Sequence, residues 1–209
     1  MEIADKSCRQ FVQALALKVP VPGGGAAAAL VGSIGIALSN MVGNYTIGKK
    51  KYANVEDKVQ ELLKKGAEVQ DALLDLIAKD AEAFEPLSQA YGLPSETDEQ
   101  KKIKEEVLEQ EAKNACFVPI KIIRKAVEGI KIHKCMCESG NKLLISDVGC
   151  GVAFLQAALI AGKLNVLINL NNVKDTEFVK NMREEVDSIV EEGIDTANEV
   201  YESVLKIIG

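Results

Sequence analysis

Tryptophan is absent from this sequence of 209 residues, and only 4% of the residues are aromatic. Because hydrophobic residues nevertheless make up 47% of the chain, its core must consist of leucine, isoleucine, valine and alanine. The only histidine, His133, has no partner with catalytic or zinc-binding spacing, which argues against histidine-based catalysis. The five cysteines include the pair Cys135 and Cys137 but no second pair, so the sequence predicts reduced thiols and no metal site.

A net charge of −6 argues against nucleic-acid binding, which needs a basic surface. Charged residues within the first ten positions predict that no signal peptide is present, and with the reduced thiols they predict a cytoplasmic protein. The apolar segment 26–42 is shorter than the ~20 residues of a membrane span and is interrupted by Ser33, Ser39 and Asn40. The sequence therefore predicts no membrane span.

Hydrophobic periodicity predicts an all-α fold, a bundle of about six helices in one domain over residues 1–209. The predicted helices cover residues 4–18, 26–45, 55–90, 97 to beyond 126, 146–161 and 175–205. Pro86 and Pro119 are expected to kink the third and fourth of them. Residues 164–172 alternate like a strand, yet no partner strand is evident, so helix or extended linker is expected there.

Three glycines, Gly23, Gly24 and Gly25, follow Pro22 and lead into the second helix, where backbone N–H groups can approach a ligand closely. Lys49, Lys50 and Lys51, followed by Tyr52, stand beyond the far end of that helix. Both ends can therefore meet an anion, although lysines at a helix end are also explained by the helix dipole. Small residues in the same helix (Gly32, Gly35, Ser39 and Gly43) predict close helix packing or a dimer seam.

Asp80 is the residue whose position is most unusual for its type. It falls on the apolar face formed by Leu76, Ile77 and Phe84, where a carboxylate is costly unless it is paired or protonated. Such a group tends to have a raised pKa and to suit general acid–base catalysis. The alternatives are a position at a wet boundary and a structural pair with a lysine.

Other polar residues are less specific. Asp147 has the position of a helix N-cap. Asn165 and Asn169 share a face if their segment is helical, and amides there suit either a heterocyclic ligand or a polar surface. Asn44 precedes the lysine cluster, and Asn114 is in register with an inward-facing stripe.

Five ordered segments together resemble the cyclodeaminase/cyclohydrolase family, the C-terminal half of the bifunctional formiminotransferase-cyclodeaminase. They are residues 21–25 (VPGGG), 44–52 (NYTIGKKKY), 79–84 (KDAEAF), 145–149 (ISDVG) and 164–170 (LNVLINL). The resemblance covers nearly the whole chain and implies an all-helical homodimer that binds a tetrahydrofolate derivative, with no cofactor beyond this substrate. It does not extend to residues 129–142, where His133 and the cysteine pair match no motif of the family.

Two reactions are implied by the resemblance: hydrolysis of 5,10-methenyltetrahydrofolate to 10-formyltetrahydrofolate, and cyclisation of 5-formiminotetrahydrofolate with release of ammonia. Because the helical unit uses all 209 residues, a formiminotransferase half is not expected here, which favours the cyclohydrolase. The alternative of another class is a non-catalytic folate-binding or helical interaction protein.

Residue type and motif position suggest a role for each candidate. Asp80 is expected to move the proton and Asp147 to offset the cationic charge of the substrate. The three lysines are expected to hold the glutamate carboxylates of the folate tail, and Tyr52 to pack on its aryl ring. The turn from Pro22 to Gly25 and the candidate asparagines are expected to contact the pterin (Asn44, Asn114, Asn165 and Asn169).

Overall fold

Seven α-helices make up most of residues 3–209, the part of the chain that the computed structural model describes. A short helix is followed by six long ones: α1 Cys8–Leu15, α2 Gly24–Asn44, α3 Glu56–Tyr91, α4 Asp98–Ala115, α5 Phe117–Ser139, α6 Ile145–Leu170 and α7 Thr176–Ile208. Three 3₁₀ turns connect or precede them, at Ile3–Asp5, Lys50–Val55 and Lys142–Leu144. No strand occurs within residues 3–209, so the predicted all-α fold is confirmed.

Side-chain caps fix several helix starts. A capping box of Thr97 and Gln100 begins α4, and Asp175 accepts from the N–H of Phe178 before α7. A second capping box, made by Ser7 and Gln10, begins α1 later than the sequence analysis expects. The expected cap at Asp147 is wrong, because α6 begins at Ile145 with Asp147 already in its first turn.

The expected helix from residue 97 to beyond residue 126 is in fact two helices, α4 and α5, separated at Cys116. Pro119 therefore lies in the first turn of α5, where a missing N–H costs nothing, and it does not kink a continuous helix. Pro86 does lie inside α3, as expected. Helix or extended linker is the expectation for residues 164–172. Because α6 continues to Leu170, the helical alternative is confirmed for residues 164–170.

Helices α2 and α6 run antiparallel through the centre of the molecule. Gly24 in the first turn of α2 lies beside Asn165, Gly35 lies against Gly151, and Thr46 beyond the end of α2 binds the N–H of Asn141. A Cβ atom on Gly35 would stand 2.9 Å from the carbonyl oxygen of Gly151. The small-residue stripe of α2 is thus buried in packing within the chain.

His133 of α5 is completely buried beside this crossing. Its Nε2 atom hydrogen-bonds the carbonyl oxygen of Gly35 at 3.0 Å, and a Cβ atom on Gly151 would come within 2.3 Å of the ring. Burial lowers the pKa of His133 to about 4, so the ring is neutral at pH 7. The histidine therefore packs the core rather than facing a ligand.

By length and composition, the helical stretches Gly24–Asn44 and Lys142–Leu170 are apolar enough to cross a membrane. In this fold 56% and 44% of their apolar windows, respectively, are buried inside the protein. Among their large hydrophobic residues, Ile34, Leu143, Phe154, Ile160, Leu164 and Ile168 remain exposed.

The close contact between α2 and α6 at Gly35 predicts that two glycine substitutions in α2 differ strongly in how much stability they cost. Gly35→Ala should lower the free energy of unfolding by about 1–3 kcal/mol, because its Cβ would meet backbone atoms that cannot move aside. Gly32→Ala should cost less, because its nearest neighbours, at 3.3–3.4 Å, are side-chain carbons of Leu73 and Ala158. Urea unfolding of both variants measures the difference, and equal losses would contradict the close crossing.

Candidate functional site

A pocket of about 260 Å³ opens at the N-terminal end of α2. Four segments form it: the turn before α2, the C-terminal half of α3, the α4–α5 junction and the last turns of α6. Its lining consists of Pro20, Val21, Gly23, Gly24, Gly25, Asp80, Phe84, Tyr91, Ala115, Pro119, Asn165, Ile168 and Asn169. The structure thus brings together six of the residues predicted for the site: the three glycines, Asp80, Asn165 and Asn169.

The carboxylate of Asp80 lies against the first turn of α2. A Cβ atom on Gly25 would stand only 2.0 Å from Asp80 Oδ1, so no other residue fits at position 25 without moving the carboxylate. The backbone N–H of Ala26 donates a hydrogen bond to Asp80. This N–H is one of the free donors of the first helical turn, and Asp80 of α3 satisfies it in place of a side chain from the turn itself.

Burial raises the pKa of Asp80 from 3.8 to about 6, while the hydrogen bond from Ala26 opposes part of that rise. Within the described residues its carboxylate has no cationic partner, so the expected alternative of a lysine pair does not apply. At neutral pH the group is mainly ionised, yet it is a stronger base than an ordinary aspartate. These are the properties of a general base that works near pH 7.

Asn165 and Asn169 lie one turn apart on α6 and both reach the pocket. Asn165 donates through Nδ2 to the carbonyl of Ala161 at 2.8 Å, and its amide lies 3.3 Å from the position of a Cβ on Gly24. Asn169 is buried and donates through Nδ2 to the carbonyl of Ala115 at 3.0 Å. Both side chains are therefore held in place from within the chain.

Several apolar residues of the pocket were missed as site residues by sequence reasoning. Phe84 lies one turn after Asp80 on the same helix face, a spacing that could have pointed to it. Tyr91 stands at the end of α3, and its hydroxyl accepts a hydrogen bond from Asn172. Ile168 and Pro119 complete the wall, and no local motif marks them.

The predicted tail-binding residues lie at the other end of the molecule. Helix α2 separates Gly24 from Asn44 by about 30 Å, at a rise of about 1.5 Å per residue. Asn44 and the three lysines are exposed beyond this end. Lys49 lies over the ring of Tyr45, and Lys51 lies over the ring of Tyr52.

Tyr52 connects this lysine end to the start of α6. Its hydroxyl donates to Asn141 Oδ1 at 3.2 Å and accepts from the N–H of Lys142 at 3.2 Å. Asp147 belongs to the same end, because about 27 Å of helix separates it from Asn165. Within one chain, neither Tyr52 nor Asp147 can contact a group bound between Asp80 and Asn165.

Two further candidates do not line the pocket. Asn114, which the sequence analysis places on an inward face, is exposed and hydrogen-bonds Gln110 and Glu111 of its own helix. The error arises because α4 is polar on most sides and buries only Ala112 and Ala115. Pro22 is buried behind the turn rather than exposed to the pocket.

A sequence model of the formiminotransferase-cyclodeaminase family matches residues 7–188. The chain belongs to this family. Methenyltetrahydrofolate cyclohydrolase of Methylorubrum extorquens is 36% identical to it over 200 residues, which cover 96% of each chain. The structure of formiminotetrahydrofolate cyclodeaminase from Thermotoga maritima is similar over 99% of this chain and 97% of that one, with a TM-score of 0.83 and 33% identity.

Other members of the formiminotransferase-cyclodeaminase family are longer. Formimidoyltransferase-cyclodeaminase of Dictyostelium discoideum is 34% identical over 99% of this chain but only 37% of its own length. The rat protein of the same name is 28% identical over 91% of this chain and 35% of its own length. The chain thus spans about a third of these two relatives, and the resemblance inferred from the five motifs is confirmed.

The buried environment of Asp80 predicts that the folded protein is more stable when the Asp80 carboxyl group is uncharged. Because the folded-state pKa of about 6 exceeds the unfolded value of 3.8, ionisation destabilises the fold above pH 6, and this cost disappears as the pH falls from 6 to 3.8. Asp80→Asn keeps an acceptor for Ala26 and should raise the free energy of unfolding at pH 7.5 by about 1–3 kcal/mol. Urea unfolding at pH 7.5 and pH 4.5 measures the effect, which should shrink at the lower pH.

Asp71→Asn, an exposed change on the same helix, is the matched control and should stay within about 0.5 kcal/mol of wild type. If Asp80→Asn were instead less stable than wild type, the carboxylate would be acting mainly as a structural cap of α2.

Proposed function

We propose that this protein is a methenyltetrahydrofolate cyclohydrolase, which hydrolyses 5,10-methenyltetrahydrofolate to 10-formyltetrahydrofolate. The observation that carries the proposal is the partly buried carboxylate of Asp80, with its raised pKa, in a pocket that no lysine or arginine of residues 3–209 lines. The methenyl group is a cation of amidinium type, so a carboxylate beside it both attracts the substrate and can accept a proton. Similarity over nearly the full length to a protein of that name supports the assignment.

Asp80 supplies the proton transfers that this hydrolysis needs. As water adds to the methenyl carbon, the carboxylate takes one proton of the water, and the cation becomes a neutral carbinol. The protonated Asp80 then gives its proton to N5 as the bond between the carbon and N5 breaks. The carbinol hydroxyl loses its proton to solvent, which leaves the formyl group on N10 and balances the reaction.

The second candidate is the cyclodeaminase reaction, favoured by the 33% identity to the Thermotoga maritima protein. There the same carboxyl group would protonate the departing ammonia. Both reactions take place at the bridge between N5 and N10, so a pocket of this chemistry serves either. No cofactor beyond the folate substrate is part of either proposal, and we place the enzyme in the cytoplasm.

We further propose that two chains form a homodimer through the outward faces of α2 and α6. Ile160, Leu164 and Ile168 of α6 are exposed at four-residue steps, and Phe154 is exposed nearer the start of the same helix. Ile34 of α2 is 46% exposed. Because α2 and α6 pack directly against each other, we infer that their outward faces form one apolar surface, of the kind that marks an interaction site.

A two-fold axis across this surface would bring the separated candidate residues close together, each set from a different protomer. The pocket lies at one end of the antiparallel helices, and the lysine end lies about 30 Å away at the other. If the axis is perpendicular to α2, the pocket of one protomer lies beside the lysine end of its partner, in an isologous interface. Lys49, Lys50 and Lys51 would then hold the glutamate tail, with Tyr52 on its aryl ring and Asp147 near the cationic centre.

The hydrolysis is tested by following the loss of near-ultraviolet absorbance of methenyltetrahydrofolate. Wild type should accelerate it, with a rate that falls as the pH drops through about 6 and Asp80 becomes protonated. Asp80→Asn should lower kcat by about 10²–10⁴-fold while substrate still binds, and Asp71→Asn should not. No acceleration over buffer by wild type would sink the cyclohydrolase proposal; ammonia released from 5-formiminotetrahydrofolate would then identify the cyclodeaminase.

The tail-binding role predicts a dependence on glutamate number. Replacing Lys49, Lys50 and Lys51 by alanine should raise KM for a pentaglutamate substrate more than for the monoglutamate, most clearly at low ionic strength. The control is alanine at Lys64 and Lys102, which are exposed on α3 and α4. An equal effect on both substrates would remove the lysines from tail binding.

The dimer proposal predicts a particle of about twice the chain mass in light scattering. Phe154→Glu combined with Ile160→Glu should give monomers with little activity, because both substitutions put charge into the apolar contact. Ile103→Glu, an equally exposed site on α4, should leave the dimer intact. A monomeric wild type with full activity would refute the shared site.

A further inference from the structure

The amides of Asn165 and Asn169 have a fixed orientation. Each Nδ2 group donates to a backbone carbonyl, that of Ala161 or that of Ala115. A carbonyl can only accept, so the nitrogen of each amide must be at that end and the Oδ1 atom at the other. Within residues 3–209 neither Oδ1 atom receives a hydrogen bond from the chain.

These two oxygens belong to asparagines that line the same wall of the pocket. They belong to residues one helical turn apart, whose Cβ atoms are about 5–6 Å from each other. Asn169 is only 7% exposed, so its side chain has little freedom to turn its oxygen elsewhere. Gly24 makes the arrangement possible, because a bulkier residue there would press on the amide of Asn165.

Asp80 adds a third acceptor to the pocket beside the two amide oxygens. Asp80 is an acceptor when ionised, whereas the Tyr91 hydroxyl accepts from Asn172 and keeps its own O–H free to donate. Among the residues that the structure describes, no side chain with a permanent positive charge lines the pocket. A ligand with N–H donors along the edge that faces α6 would pair with both amide oxygens.

We propose that Asn165 and Asn169 determine specificity by accepting hydrogen bonds, through Oδ1, from the N–H groups on one edge of a reduced pteridine ring. The inference rests on the proposed function, since it concerns the same pocket and folate as its ligand. A tetrahydropteridine carries two donors on one edge, the 2-amino group and N8–H, with one ring nitrogen between them. In the fully oxidised ring N8 has no hydrogen and presents a lone pair, which an amide oxygen repels. The pocket therefore selects the reduced ring over the oxidised one.

Titration calorimetry with two stable folates tests this inference. Wild type should bind 5-formyltetrahydrofolate, which keeps N8–H, about 10–100-fold more tightly than folic acid, which lacks it. Asn165→Leu removes the acceptor at similar volume and should weaken binding of the reduced ligand about 10-fold or more, with a smaller change for folic acid. Asn165→Asp retains an acceptor oxygen and should keep the preference for the reduced ring.

Asn171→Leu is the control, because Asn171 is exposed at the end of α6 and lies outside the pocket lining. Thermal melting of each variant shows that it is folded; if Asn165→Leu is not, Asn165→Ala replaces it. Equal wild-type affinity for the two folates, no binding of the reduced one, or an unchanged preference in the folded acceptor-free variant would overturn the inference. A preserved preference without hydrolysis of methenyltetrahydrofolate would overturn the proposed reaction alone.

Discussion

The contact between Asp80 and the first turn of α2 is the constraint on which the site depends. Gly25 has no side chain, so the carboxylate can approach the helix backbone closely enough to accept the N–H of Ala26. The same approach removes the carboxylate from water and raises its pKa to about 6. One contact thus orders the start of α2 and prepares a base. Because burial makes the charged form costly, the carboxylate binds a proton more readily and becomes a stronger base.

The antiparallel packing of α2 and α6 decides which residues can act together. Gly35 and Gly151 let the two backbones approach, which aligns the glycine turn with Asn165 and the lysine end with Asp147. A helix is rigid over about 30 Å, so residues at the two ends of α2 and α6 cannot contact the same group within one chain. The exposed apolar faces of the same helices give a physical reason for a partner. In the proposed dimer, helix packing positions the residues at each end of α2 and α6, and the contact between chains brings the two ends together in one site.

Much of the pocket could be predicted because helical spacing fixes what lies on one face. The apolar neighbours of Asp80 indicated its burial, and the four-residue step from Asn165 to Asn169 indicated a shared wall. Contacts between helices could not be predicted in this way, since periodicity does not say which helices are neighbours. The approach of Gly25 to Asp80 and the exposure of Asn114 both depend on that missing information. Pro119 fitted either a kink or a first turn, and local sequence does not distinguish them.

The most direct measurement is the titration of the Asp80 carboxyl carbon by ¹³C NMR in aspartate-labelled protein, with its signal assigned by its absence from Asp80→Asn. Burial against the first turn of α2 predicts a midpoint near pH 6. Adding a reduced folate should perturb the same signal if the carboxylate faces the ligand. A midpoint near 3.8, the ordinary value for aspartate, would show that the group is solvated and would contradict its role as a desolvated catalytic base.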